Sequence, residues 1–347
     1  MQSSSADHIR RAKRAFWSTL CIADSVAFVR KHCTSLAERA NFPTQLSLKA
    51  PAYRIKPKPE LVDNLCSDGR LQYDAMSDAF TIQLQGRRYR AIADLTLGDF
   101  MAGHGSKIQR SLLPRARFTY AHEFAHRLFY VRRGAKEERV QDLVLREVHP
   151  NHLCSVQTAL YDVEERTCDK IAGSVLLPVS ALRQALLEKV FISKCFWGAL
   201  REVQTRHAVT TQCVLVRLQH AIREGAIGPP SQFCLFSIRW TMTKGRMIRK
   251  IVARPRIEVV IMPEEIGSSR VRGLFPGIDV ENLGGRFQER VVALLDDGAG
   301  APKEVHTEIC LLLNKEERKP LIGTFRGWSV ITGWDDSKRL TMWGAVT

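Results

Sequence analysis

The chain has 347 residues, 45% of them hydrophobic and 25% charged, a balance typical of folded proteins at a length that favours two domains or three. This composition excludes extended disorder and low complexity, and no stretch is long and apolar enough to span a bilayer as a helix. The 52 basic and 36 acidic side chains leave a formal net charge of +16, which favours anionic partners such as nucleic acid, acidic protein surfaces or anionic lipid. Nine scattered cysteines, odd in number and without a C-x-x-C pair, argue against a disulfide framework or a structural zinc-cysteine site. They suit a reducing compartment.

Residues 1–44 read as one long amphipathic helical segment. Its stretch FWSTLCIADSVAFV (16–29) follows Arg10, Arg11, Lys13 and Arg14, as the core of a signal peptide would. Asp24 interrupts that core and no small-residue cleavage site follows, so a cytoplasmic location is expected. Residues 45–114 mix proline-rich connections (Pro51, Pro57, Pro59) with a strand at FTIQL, 80–84. The short turn Gln85-Gly86-Arg87 before the next apolar run predicts a hairpin.

The segment ARFTYAHEFAHRLFY, 116–130, holds His122, Glu123 and His126 in the order H-E-x-x-H. Residues four apart share a helix face, so His122 and His126 can offer two imidazole nitrogens to one metal ion. Glu123, beside the first histidine, is placed to take a proton from a metal-bound water, the chemistry of a zinc peptidase. Phe118, Ala121, Phe124, Ala125, Leu128 and Phe129 surround the segment with apolar side chains, the mark of a buried helix. The alternative is a core helix whose histidines hydrogen-bond to backbone carbonyls.

A catalytic zinc site takes three protein ligands, and a second helix over DVEERTCDKIAGSVLLP, 162–178, ending near Leu177 before Pro178, can supply the third. Glu165 and Asp169, four apart, share a face with Cys168, Ala172 and Leu176. Glu165 is the expected ligand, and Asp169 the acceptor for the free N–H of a ligating histidine. Glu164 points elsewhere on the wheel and ranks second. Cys168 is a soft donor, though a small buried packing residue is the simpler reading. His104, His149 and His152 read as surface or loop residues.

Gly225, Gly228, Pro229 and Pro230 mark a boundary near residue 228. From 231 the character changes: CLFSI, IEVVIM, VVALL, EICLLL, WSVITGW and RLTMWGAV alternate with Gly- and Asp-rich turns, an antiparallel strand-rich domain. Its densest basic patch, RWTMTKGRMIRKIVARPR at 239–256, has seven basic side chains, no acidic one and Trp240 as its single aromatic residue. Arg246, Arg249, Lys250 and Arg254 are candidate nucleic-acid contacts there, against the plainer reading of a solvated basic hairpin face.

Two blocks together resemble the ImmA/IrrE-type metallopeptidase family. One is R-x-R-F-T-x-A-H-E-x-x-H, present as Arg115, Arg117, Phe118, Thr119, Ala121, His122, Glu123 and His126. The other is the later helix with Glu165, Cys168, Asp169, Ala172 and Val175-Leu176-Leu177-Pro178. The segment at 198–228, with Arg217-Leu218 near its end, is similar to the helix pair that follows in that family. The resemblance covers about residues 45–230. Phe124-Ala125 stand where Leu-Gly is usual, Cys168 where alanine is. Glu165 lies 39 positions after His126, which points to an insertion within 131–160.

The expectation is an α+β chain: an N-terminal helical segment (1–44), a mainly helical zinc-peptidase domain with a small sheet (45–185), a helix-turn-helix-like segment (186–230) and a strand-rich α+β C-terminal domain (231–347), which could be a sensor. The resemblance implies one Zn2+ ion held by His122, His126 and Glu165, with Glu123 as general base. It also implies a protein substrate, a helix-turn-helix repressor cut once in a stress or mobile-element response. The other reading, motivated by the charge and the helix pair, is a DNA- or repressor-binding regulator whose zinc site is structural or inactive. No membrane partner is expected, and oligomeric state is not legible.

Overall fold

The computed structural model describes residues 5–36, 44–244, 251–261, 278–279, 294, 300–311, 321–332 and 339–346. The fold is α+β and divides into two units, residues 1–181 with 204–217, and residues 182–203 with 218–347. Among the described residues no helix is long and apolar enough to cross a membrane.

The first unit opens with two helices, α1 (Ser5–Thr19) and α2 (Ser25–Leu36), where a single long helix was expected. Cys21 adopts a left-handed φ of 54°, which no α-helix continues. Asp24 then starts α2 by accepting a hydrogen bond from the Ala27 backbone N–H at 2.8 Å. Phe16 and Phe28, both fully buried, stack on Phe129 at ring distances of 5.7 and 4.7 Å, folding the two helices back onto the turn at residues 127–129. A short helix α3 (Leu46–Lys49) leads to β1 (Glu60–Val62), β2 (Gly69–Asp74) and β3 (Ala79–Gln85). These form a sheet in the order β1-β3-β2, with β1 parallel and β2 antiparallel to the central strand. Phe80 to Leu84 are buried without interruption, as befits a strand covered on both faces.

The hairpin expected at Gln85-Gly86-Arg87 is absent. Gln85 instead caps a helical turn, α4 (Gly86–Tyr89), by accepting from the Arg88 N–H, and the hairpin is β2–β3. After α5 (Leu97–Met101) comes α6 (Lys107–His126), begun by a reciprocal cap in which Ser106 and Gln109 each accept from the other's backbone N–H. It packs against β2, β3 and α8 (Leu153–Leu176). Between α6 and α8 lie the β4 (Tyr130–Arg133) and β5 (Lys136–Arg139) hairpin and α7 (Val140–Leu145), so the long gap before Glu165 is ordered structure.

Helices α9 (Val179–Ala185), α10 (Glu188–Phe191), α11 (Cys195–His207) and α12 (Thr211–Arg223) follow. The turn between α11 and α12 passes through Ala208, at φ 47°, and Thr210, whose hydroxyl accepts from the Cys213 N–H. The second unit holds a six-stranded antiparallel sheet in the order β8-β7-β6-β11-β10-β9, built from β6 (Phe233–Lys244), β7 (Ile251–Ile261), β8 (Ile278–Asp279), β9 (Lys303–Leu311), β10 (Leu321–Thr332) and β11 (Arg339–Val346). Its core centres on fully buried Trp343, whose indole N–H donates to the Ser193 carbonyl at 2.9 Å beside Phe191, Phe196 and Phe233. The apolar run VVALL lies outside the described residues apart from Leu294, which is buried and helical.

Candidate metal centre

Helix α6 presents His122 and His126 one turn apart, and α8 lies alongside it with Glu164, Glu165 and Asp169 facing the pair. The two Nε2 atoms converge to 3.1 Å. Glu165 closes the triangle, with Oε2 3.2 Å from His122 Nε2 and Oε1 3.3 Å from His126 Nε2. Among the described residues this is the one group of three or more His, Cys, Asp or Glu side chains close enough to hold a metal ion. Donors bound at about 2.0–2.2 Å to a tetrahedral zinc lie roughly 3.3–3.5 Å from one another, so the spacing fits such an ion with little movement.

The outer nitrogens explain why the inner ones converge. His122 Nδ1 donates to Asp169 Oδ1 at 2.8 Å, and His126 Nδ1 donates to Glu164 Oε1 at 2.7 Å. With both Nδ1 positions carrying the proton, as this network assigns them, the Nε2 lone pairs point at each other. Two lone pairs at 3.1 Å repel unless a cation or a proton lies between them. In the metal-free protein, burial disfavours a charged His122, yet the hydrogen bonds to Asp169 and Glu165 outweigh it and raise its pKa to about 10. His126 is likewise pushed up, burial being overcome by Glu164 and Glu165. Glu165 moves the other way: its burial is overcome by the two imidazoles, which hold it well below the usual carboxylate range.

Glu123 is buried against β2. Burial raises its pKa, in part offset by His126 and His122 and by a hydrogen bond from the Leu71 backbone N–H. The approach of β2 is so close that a Cβ at Gly69 would stand 2.6 Å from Thr119 Cγ2 and 2.9 Å from Glu123 Cγ. Gly69 therefore holds the strand against the helix at the level of the carboxylate.

The residues that sequence reasoning brought together, His122, Glu123, His126, Glu165 and Asp169, lie in one site. Glu164, ranked behind Glu165 as a ligand, occupies the outer side of His126 with none of its side chain exposed. Arg139, which no sequence signal singled out, donates to it from Nε at 3.1 and 3.2 Å and from Nη2 at 2.7 Å. A fully buried carboxylate needs such a cation, and that requirement could have prompted a search for one. Cys168 is a buried thiol outside the donor triad, its pKa lifted well above the usual thiol value by burial and then by the surrounding carboxylates. Tyr161, half exposed, lies one turn before Glu165, whereas Tyr130 is packed edge-on against Phe80 at 5.0 Å.

His104 and His149 are exposed, and His152 stacks on His8 at 4.0 Å. The strands expected beside the basic patch are present as β6 and β7. Arg246, Arg249 and Lys250 lie outside the described residues. Arg254 is placed in β7 opposite Thr241, with its side chain outside them. No protein-family model matches the chain, and no curated protein does.

Proposed function

We propose that this chain is a zinc-dependent endopeptidase with one metal centre, in which His122, His126 and Glu165 hold the ion and Glu123 is the general base. The observation that carries the reading is the convergence of three donor groups, the two Nε2 atoms 3.1 Å apart with Glu165 Oε2 3.2 Å from one and Oε1 3.3 Å from the other, and a buried carboxylate beside them on the helix of the histidines. Two neutral imidazoles and a carboxylate are a donor set that suits zinc and leaves a coordination position for substrate or water. Zn2+ bound there would polarise the scissile carbonyl and acidify the attacking water. Glu123 would take the proton from the attacking water and give it to the leaving amine. Burial raises its pKa toward the range where a carboxylate can both accept and release a proton. Asp169 and Glu164 hold the imidazole rings in the orientation that keeps both Nε2 atoms on the metal side.

The resemblance to ImmA/IrrE-type peptidases supports a narrow substrate range, a helix-turn-helix repressor cut at a single bond. The rival reading, a DNA- or repressor-binding regulator, draws on the α11–α12 pair. A helix that reads DNA keeps a polar face free for the groove. In α12, Cys213, Val214, Leu215, Arg217, Leu218, Gln219 and Ala221 are buried, and Arg217 donates to the Leu177 carbonyl, which favours a framing role over groove insertion.

The test is co-expression of a candidate repressor with wild-type protein and with Glu123→Gln. Both should purify with one zinc per chain. Wild type should produce one cleavage event, and Glu123→Gln should be slower by about 10²–10⁴-fold, the usual contribution of a general base. Absence of stoichiometric zinc, or equal cleavage by the variant, would sink the peptidase reading.

A further inference from the structure

The two histidines are oriented by unlike partners. Asp169, which serves His122, keeps more than half of its side chain in solvent. Glu164, which serves His126, has no exposed side-chain surface and would be costly to bury alone. Its balancing charge comes from outside the two metal helices. Arg139 is the last residue of β5, placed opposite Tyr130 in the β4–β5 ladder, and its guanidinium grips both carboxylate oxygens. Oε1 thus accepts from Arg139 Nη2 at 2.7 Å and from His126 Nδ1 at 2.7 Å at the same time.

We infer that Arg139 is a positioning residue of the metal centre: by clamping Glu164 it fixes the ring of His126 so that Nε2 faces the ion. The β4–β5 hairpin, which separates the two ligand-bearing helices in sequence, is on this account a working part of the site. The inference rests on the zinc reading above and adds a residue to it. A carboxylate held at both oxygens cannot rotate away from the imidazole, whereas Asp169, more than half exposed, shows no second grip of this kind among the described residues. His126 is therefore the ligand with the stiffer support.

The consequence is a coupling between Arg139 and Glu164 that is read in metal affinity. Zinc affinity is measured by competition with a chromophoric chelator for wild type, Arg139→Ala, Arg139→Lys, Glu164→Gln and the double variant Arg139→Ala/Glu164→Gln. Circular dichroism establishes that each is folded. Loss of a group that orients a ligating histidine lowers metal affinity by about 10–100-fold, and that loss is expected for Arg139→Ala. Arg139→Lys keeps the charge without the two-pronged grip and should recover part of the loss. In the Glu164→Gln background, removing Arg139 should cost little more, because its route to the metal is already cut. The visible spectrum of the cobalt-substituted protein should shift in Arg139→Ala as the geometry at His126 loosens.

Two outcomes overturn the inference with the zinc reading intact: wild-type affinity and cobalt spectrum in a folded Arg139→Ala, or independent, multiplying losses in the double variant. Should Arg139→Ala fail to fold, the comparison of Arg139→Lys with wild type decides, and equal zinc affinities would overturn it. Wild-type protein that takes up no zinc overturns both readings together, and so is distinguishable from the failure of this one.

Discussion

Gly69 shows how closely the proposed general base is confined. A methyl group there would stand 2.6 Å from Thr119 Cγ2, 2.9 Å from Glu123 Cγ and 3.1 Å from Glu123 Oε1, so either strand or carboxylate must give way. Gly69→Ala is expected to lower kcat by about 10²-fold, the cost of misplacing a reacting group by about an ångström. Overpacking should also cost about 1–3 kcal/mol of stability. Zinc content should be unchanged, since no ligand touches the new methyl group. Steady-state kinetics with metal analysis check both halves, and wild-type turnover in a folded variant would show that β2 does not position the carboxylate. At this scale the sequence was most informative where chemistry has a fixed spacing. His122, Glu123 and His126 follow the helical repeat, and Glu165 and Asp169 repeat it. Glu164 was ranked second as a ligand, and its role as partner of His126 Nδ1 escaped because a wheel drawn for one helix only places it off the metal face. The second helix has its own outer flank, where His126 Nδ1 waits for an acceptor. Arg139 escaped because its role exists only after the chain folds back from a hairpin.

At the scale of elements, the break between α1 and α2 has a local cause that can be tested. Asp24 accepts from the Ala27 N–H at 2.8 Å and so satisfies one of the free donors at the start of α2. Asp24→Ala should destabilise the protein by about 1 kcal/mol, read by denaturant unfolding, with zinc affinity unaltered. An unchanged unfolding midpoint would mean that packing of Phe28 on Phe129 alone places the helix. The apolar period runs on across residues 20–24, so periodicity predicted one helix; the aspartate, read as an interruption, was in fact a start signal. The same kind of error produced the hairpin expected after β3. Gln85-Gly86 can turn a chain, but the Gln85 side chain caps a helix instead, and the strand partner lies upstream in β2. That strand, GRLQYD, carries only Leu71 and Tyr73 as large apolar side chains, a weak strand signal in local sequence. By contrast α6 and the end of α8 were legible, since each carries an apolar run of helical length and a clear cap or stop, while the start of α8 at Leu153 falls within the stretch expected to be an insertion.

For the whole molecule the proposed metal site would link stability to zinc and to pH, with signs that follow from the shifted groups. In the metal-free protein His122 has its pKa raised from 6.5 to about 10 by Asp169 and Glu165 acting against burial. The folded state therefore holds a proton that the unfolded chain releases, and this contribution is complete below 6.5 and lost as pH rises through about 10. Glu165 is depressed, so its contribution is present above the ordinary carboxylate pKa and fades as pH falls through its lower folded value. Zinc held by His122, His126 and Glu165 would take over the proton's role and should remove the alkaline loss, since the attraction would no longer depend on an imidazolium. Chelated protein should thus lose thermal stability between pH 7 and 10, while zinc-loaded protein should hold it, and the gap between their Tm values should widen over that range. Free zinc at a thousand times its Kd adds about 4 kcal/mol to the folded state by mass action. The donor triad belongs to the first unit, so chelation should lower the Tm at which that unit unfolds. A gap that stays constant with pH would place the proton somewhere other than between the histidines, and a chelator without effect on Tm would leave the donor group without an ion to hold.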